Sequence, residues 1–99
     1  MDKLHCKAVD EFFRAVLSLE SIDECYAFFE DVCTAKELLD ISQRLEVASL
    51  LEKGLNYLTI SQNTGASTAT ISRVNKCYSY GQDGYKLVLN RLRSEEKDG

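Results

Sequence analysis

The chain has 99 residues, enough for one domain with a modest core, and no proline. Its net charge is −4, from 12 Lys and Arg against 16 Asp and Glu. No apolar run approaches a membrane span and the first 20 residues carry no signal-peptide pattern, so a cytoplasmic protein is expected. The four cysteines, Cys6, Cys25, Cys33 and Cys77, lack the short spacing of a structural zinc site, so no metal is expected. Cys25 and Cys33 fall at apolar positions and read as buried, reduced thiols. His5, the only histidine, lies near the N-terminus and has no obvious Cys or Ser partner. No constellation for catalysis emerges, and neither an enzyme nor a cofactor is expected.

No segment alternates apolar and polar residues as a half-buried strand does, so the class is all-α. Residues 3–19 read as a first helix, with Leu4, Ala8, Val9, Phe12, Phe13, Val16 and Leu17 in one wide apolar stripe. Ser21 with Glu24 forms a capping box that opens a second helix, with Ile22, Cys25, Tyr26, Phe29, Val32 and Cys33 on one face. Thr34 with Glu37 opens a third, long helix over 35–53 that Gly54 closes. Leu38, Leu39, Ile41, Leu45, Val47, Ala48, Leu50 and Leu51 cover more than half of its circumference, as in a spine packed on several sides.

Residues 59–74, TISQNTGASTATISRV, read as a helix-turn-helix. Thr59 is the expected N-cap of the first helix, with Gln62 completing a capping box. Gly65 supplies the left-handed residue of the turn, and Ser67 caps the second helix. Ile60, Ala66, Ile71 and Val74 form the expected inward set, with the small Ser61 where the helices touch. Ser67, Thr68, Ala69, Thr70, Ser72, Arg73 and Lys76 remain as candidate DNA-binding residues. Short polar side chains and two cations suit entry into a major groove. After a break at 79–84, a last helix places Tyr85, Val88, Leu89 and Leu92 inward. The charged residues 94–99 are expected to be a disordered tail. One domain thus comprises a dimerisation scaffold (1–53), the helix-turn-helix (54–80), a C-terminal helix (81–93) and the tail.

Charge is unevenly divided. Residues 1–53 carry six cationic and twelve acidic side chains, whereas 54–93 carry Arg73, Lys76, Lys86, Arg91 and Arg93 against Asp83 alone. A basic lobe on an acidic scaffold is the pattern of a DNA-facing module. The excess of apolar surface on so short a chain points to a second copy, and two-fold symmetry would present paired helices to successive major grooves about 34 Å apart.

Residues 50–74, LLEKGLNYLTISQNTGASTATISRV, resemble the Trp repressor superfamily, closest to its YerC/YecD-type branch. The run GAS-T-ATI-S-R is the specific part, and the helix order extends the likeness over residues 4–92. The resemblance implies a six-helix chain in an intertwined homodimer, acting as a bacterial transcription regulator, usually a repressor. It places base contacts at Thr68, Ala69 and Ser72, and a possible effector slot at Ser42, Glu52, Thr70 and Arg73. Two departures stand out: Glu52 where the repressor has an arginine for the ligand's carboxylate, with Arg73 close enough to engage it, and Val74 where it has glycine. Glu52 would repel that carboxylate and the branched Val74 would fill space that the indole occupies, so free tryptophan is not expected as a ligand. Leu58 and Ser61 replace basic residues of the first motif helix, which implies a different operator. The expected partners are double-stranded DNA and a second copy, with no membrane. The competing reading keeps the fold as a protein–protein interaction module without specific DNA binding, in line with the overall acidity.

Overall fold

The computed structural model describes residues 3–98 and contains six helices, with no strand among the described residues. They are α1 (Lys7–Leu17), α2 (Ile22–Val32), α3 (Ala35–Glu52), α4 (Tyr57–Thr64), α5 (Thr68–Tyr80) and α6 (Gly84–Asp98). The chain divides into two compact units, residues 1–38 and 39–99.

In the first unit, helix starts are set by side-chain caps. The Ser21 hydroxyl accepts the Glu24 N–H at 3.1 Å, while the Glu24 carboxylate accepts the Glu20 N–H at 2.9 Å. Thr34 and Glu37 form the reciprocal box in full, at 3.1 and 2.9 Å. The first helix is shorter than the apolar stripe suggests. It begins at Lys7, after an extended Cys6 whose side chain makes no capping bond, and ends at Leu17. Phe12 gathers Phe13, Phe28 and Phe29 within 5.9 to 6.3 Å between ring centroids. Even so, neither α1 nor α2 contains a buried residue. Leu17 is 82% and Ile22 75% exposed, and Phe13, Tyr26 and Val32 also face outward. Cys25 is exposed and Cys33 half-buried, so the expected buried thiols are not found within one chain. The apolar stripe is real, but this unit has too little chain to cover it.

The second unit holds the core: Val47, Ala48, Ile60, Ala66, Ile71, Val74 and Leu89. Leu45, Leu50, Leu51, Leu55, Tyr57, Tyr78 and Tyr85 pack against it. Helix α3 ends in a Schellman motif. Gly54 takes φ +85°, its N–H reaches the Leu51 carbonyl, and the Leu55 N–H reaches the Leu50 carbonyl. Of the broad apolar surface of α3, only Val47 and Ala48 are fully buried, while Leu39 and Ile41 stay exposed. On α6, Leu89 is buried and Tyr85 half-buried, whereas Val88 and Leu92 face outward.

The expected disordered tail is corrected. Helix α6 runs through residues 94–98, and of that stretch Gly99 lies outside the described residues. Nothing interrupts it, because the segment after Gly84 has no proline or further glycine before the terminus and is rich in Leu, Arg, Glu and Lys.

Candidate nucleic-acid interface

The helix-turn-helix is α4, a three-residue turn and α5. The N-cap of α4 lies three residues before the expected Thr59. Asn56 is its N-cap, and its Oδ1 accepts the Thr59 N–H at 2.9 Å. Asparagine at an N-cap outcompetes threonine, so the predicted Thr59–Gln62 box does not form.

The turn is fixed from several sides. Gly65 adopts φ +77° and its N–H reaches the Ser61 carbonyl at 2.8 Å. Ser61, expected only to be small, donates its hydroxyl to the Ala66 carbonyl at 2.8 Å and is not free to meet DNA. The Thr64 hydroxyl donates to the Ile60 carbonyl and accepts the Ala66 N–H. From α3, Gln43 Nε2 donates to the Thr64 carbonyl at 3.2 Å. Such a turn presents α5 at a defined angle without any charged contact.

Ser67 caps α5 as expected, its hydroxyl accepting the Thr70 N–H at 3.1 Å and donating to the Thr70 hydroxyl. Ile71 is 0% and Val74 2% exposed, which fixes the helix register. Thr68, Ala69, Ser72, Arg73 and Lys76 are all exposed, and Thr70 is half-buried. Ala69, Ser72, Arg73 and Lys76 follow three- and four-residue spacing along one outer face. The seven candidate DNA-binding residues therefore fall on the first three turns of α5 and its cap, with Ser67 and Thr70 partly committed to each other.

The four possible effector residues are dispersed. Ser42 lines a groove of about 810 Å³ with Leu39, Gln43, Leu50, Lys53 and Leu92. Glu52 lines an adjoining one of about 340 Å³ with Arg93, and the two grooves share Ser49, Lys53, Leu89 and Leu92. Thr70 and Arg73 line neither. Glu52 is not a bare carboxylate facing Arg73. It is ion-paired with Arg93 at 3.1 Å, and the Tyr78 hydroxyl donates to it at 3.3 Å. Its charge is answered within the chain by these two contacts. Val74 likewise points into the core rather than into a slot. Burial first, and then the adjacent Glu52 charge, raises the Tyr78 pKa from its ordinary 10.0, so the phenol is protonated and donates at neutral pH.

Cations divide into two groups. Arg93 serves Glu52, and Lys86 Nζ sits 5.2 Å from the Tyr78 ring centroid. Arg73 and Lys76 are exposed and in no ion pair among the described residues. Sequence reasoning missed the Asn56 cap's precedence, Gln43 on the turn and the Tyr78–Glu52–Arg93 cluster. Only Asn56 carried a local signal, as a capping residue three positions before Thr59.

The family described as Trp repressor protein matches residues 7–93. The chain belongs to the Trp repressor family. It is 48% identical over 98 residues to the uncharacterized protein YerC of Bacillus subtilis (strain 168), covering 99% of this chain and 94% of that one. A TrpR-like protein from Eubacterium eligens ATCC 27750 superimposes with a TM-score of 0.91 at 55% identity, covering 93% of this chain and 95% of the other. A candidate Trp repressor from Staphylococcus aureus gives 0.90 at 49% identity, with 93% and 92% covered. The Trp repressor family is a family of regulators rather than of enzymes, and its likeness extends here from the motif to all six helices. Among the described residues no helix is long and apolar enough to cross a membrane.

Proposed function

We propose that this member of the Trp repressor family is a sequence-specific, double-stranded-DNA-binding transcription regulator. It works as a cytoplasmic homodimer and represses by occupying an operator that polymerase must cross. One observation carries the reading: the first three turns of α5 expose Thr68, Ala69, Ser72, Arg73 and Lys76 over a buried Ile71 and Val74. Small side chains let a helix approach base edges closely, and the cations behind them reach phosphate. The dimer rests on α1 and α2, whose apolar side chains stay exposed in one chain and are the surface a second copy would cover. The engagement of Glu52 by Arg93 and of Thr70 by Ser67 supports a regulator that does not take free tryptophan between those residues.

A second reading is favoured by Leu58, 69% exposed on α4 where an apolar side chain has no phosphate to meet. In it the same fold presents α4 to a protein partner. Selection of bound fragments from random duplex DNA, followed by titration across salt, separates the two. The DNA reading expects a two-fold symmetric site. If Arg73 and Lys76 of both protomers meet phosphate, the slope of log affinity against log salt is about −4. Absence of any enriched sequence overturns it in favour of the protein partner. Light scattering showing a monomer at micromolar concentration overturns the dimer.

A further inference from the structure

Past Val74 no residue of α5 is buried. Its second half is held by the half-buried Tyr78 ring, packed against the core, and by two polar contacts. Asn75 Nδ2 donates to the Tyr57 hydroxyl at 3.0 Å, and the Tyr78 hydroxyl donates to Glu52 at 3.3 Å. Glu52, the last residue of α3, is 17% exposed at its side chain and also takes Arg93 of α6 at 3.1 Å. One carboxylate therefore joins three helices. We propose that Glu52 is a positioning residue for DNA recognition: by holding Tyr78 with one hand and Arg93 with the other, it sets the tilt of α5 and so the presentation of Thr68, Ala69 and Ser72.

The lever is simple. Tyr78 lies ten residues beyond Thr68, about 15 Å along the helix axis, and the buried Ile71 and Val74 lie between them as a pivot. A tilt that moves Tyr78 by about 1 Å moves Thr68 nearly as far the other way. Hydrogen bonds to base edges tolerate little of that, since they weaken steeply with angle and distance. Contacts to phosphate by the long side chains of Arg73 and Lys76 absorb it. Loss of the clasp therefore lowers discrimination between sequences before it lowers affinity for DNA in general. Lys86, stacked over the Tyr78 ring, buttresses the same end of α5.

The proposal rests on the DNA-binding reading, and its test has one arm that does not. In the full-length protein, Glu52→Gln keeps the shape and weakens both contacts by removing the charge, and Glu52→Arg with Arg93→Glu restores an ion pair in reverse, the Tyr78 oxygen then accepting from the new guanidinium. With an operator selected as above, Glu52→Gln is expected to lower the ratio of operator to random-DNA affinity roughly tenfold, the scale of one lost base contact. Binding to random DNA stays the same, and the reversed pair recovers most of the ratio. An unchanged ratio overturns the proposal. So does an equal loss on both DNAs, which would mark a merely structural role. Without DNA, amide NMR shifts of Thr68, Ala69 and Ser72 are expected to move in Glu52→Gln and return in the reversed pair. Shifts that stay still overturn the lever even if the wild type binds no operator, whereas moving shifts in a protein that binds no DNA would overturn the DNA reading and leave the lever standing.

Discussion

Asn75 of α5 donates a hydrogen bond to the Tyr57 hydroxyl of α4 at 3.0 Å, so the two helices of the motif are joined by a side-chain bond as well as by their apolar core. Tyr57→Phe removes the acceptor and leaves the ring in its half-buried place. The expected cost is about 1 kcal/mol, the usual net value of one such bond, or somewhat more if Asn75 finds no water. Urea unfolding followed by circular dichroism measures it, and an unchanged midpoint would show the bond to be energetically idle.

Ile71 is sealed between the motif helices, so its substitutions sort by chemistry. Ile71→Val should cost about 0.5–1.5 kcal/mol through the lost methylene and the small cavity left behind. Ile71→Asp buries an unpaired carboxylate, at several kcal/mol on an order-of-magnitude basis, and should abolish cooperative unfolding of residues 39–98. A thermal melt of each variant distinguishes the two cases.

The turns make a contrasting set. Gly65 has open space where a Cβ would stand, so Gly65→Ala meets only the strain of φ +77°, about 1–2 kcal/mol. Gly81 has no positive φ, yet a Cβ there would lie 2.4 Å from the Cys77 carbonyl oxygen, so Gly81→Ala must displace backbone and should cost more. Asp83 has φ 63° with no glycine to relieve it, and Asp83→Gly should be neutral or stabilising. The rank order of three melting temperatures checks the assignment.

Tyr78 and Tyr85 give the fold an alkaline limit. Both phenols have pKa values raised above 10.0: Tyr78 by burial and then by Glu52, Tyr85 by burial and then by Cys77. The unfolded chain releases these protons first as the pH rises. Stability is therefore complete below about pH 10 and falls as the pH climbs through the folded values. Denaturation midpoints between pH 9 and 11 should decline, and Tyr78→Phe should make the decline shallower. A slope identical to wild type would mean that Tyr78 titrates alike in both states.

The sequence made legible whatever is local or periodic. Ser21, Thr34, Ser67, Gly54 and Gly65 each do what their type and spacing announce, and the inward set Ile60, Ala66, Ile71 and Val74 follows from helical period alone. What it hid is competitive or long-range. Thr59 and Asn56 are both good caps, and only geometry shows that Asn56 wins. Glu52 finds Arg93 across 41 positions, a pairing without any periodic trace in the sequence. The thiol of Cys25 lies on an apolar face, but a face is buried only if something covers it.

Thr68 and Lys76 should fail in different ways when replaced. Thr68 is exposed at the first position of α5, with its short side chain directed outward where a helix entering a major groove meets base edges. Lys76 lies two turns further along, exposed and in no ion pair among the described residues, where a long flexible cation reaches the sugar–phosphate backbone. Thr68→Ala should therefore change preference at one base pair of the operator by roughly 1–3 kcal/mol while leaving the salt dependence as it was. Lys76→Ala should weaken every sequence about equally. In a dimer it removes two phosphate contacts, so the slope of log affinity against log salt should fall by about 2. Binding measured for both variants on a panel of single-base operator variants at several salt concentrations resolves these effects. If the two substitutions give the same profile across sequences and salt, α5 does not lie in the groove with its N-terminal end leading, and the assignment of base-reading to Thr68 is wrong.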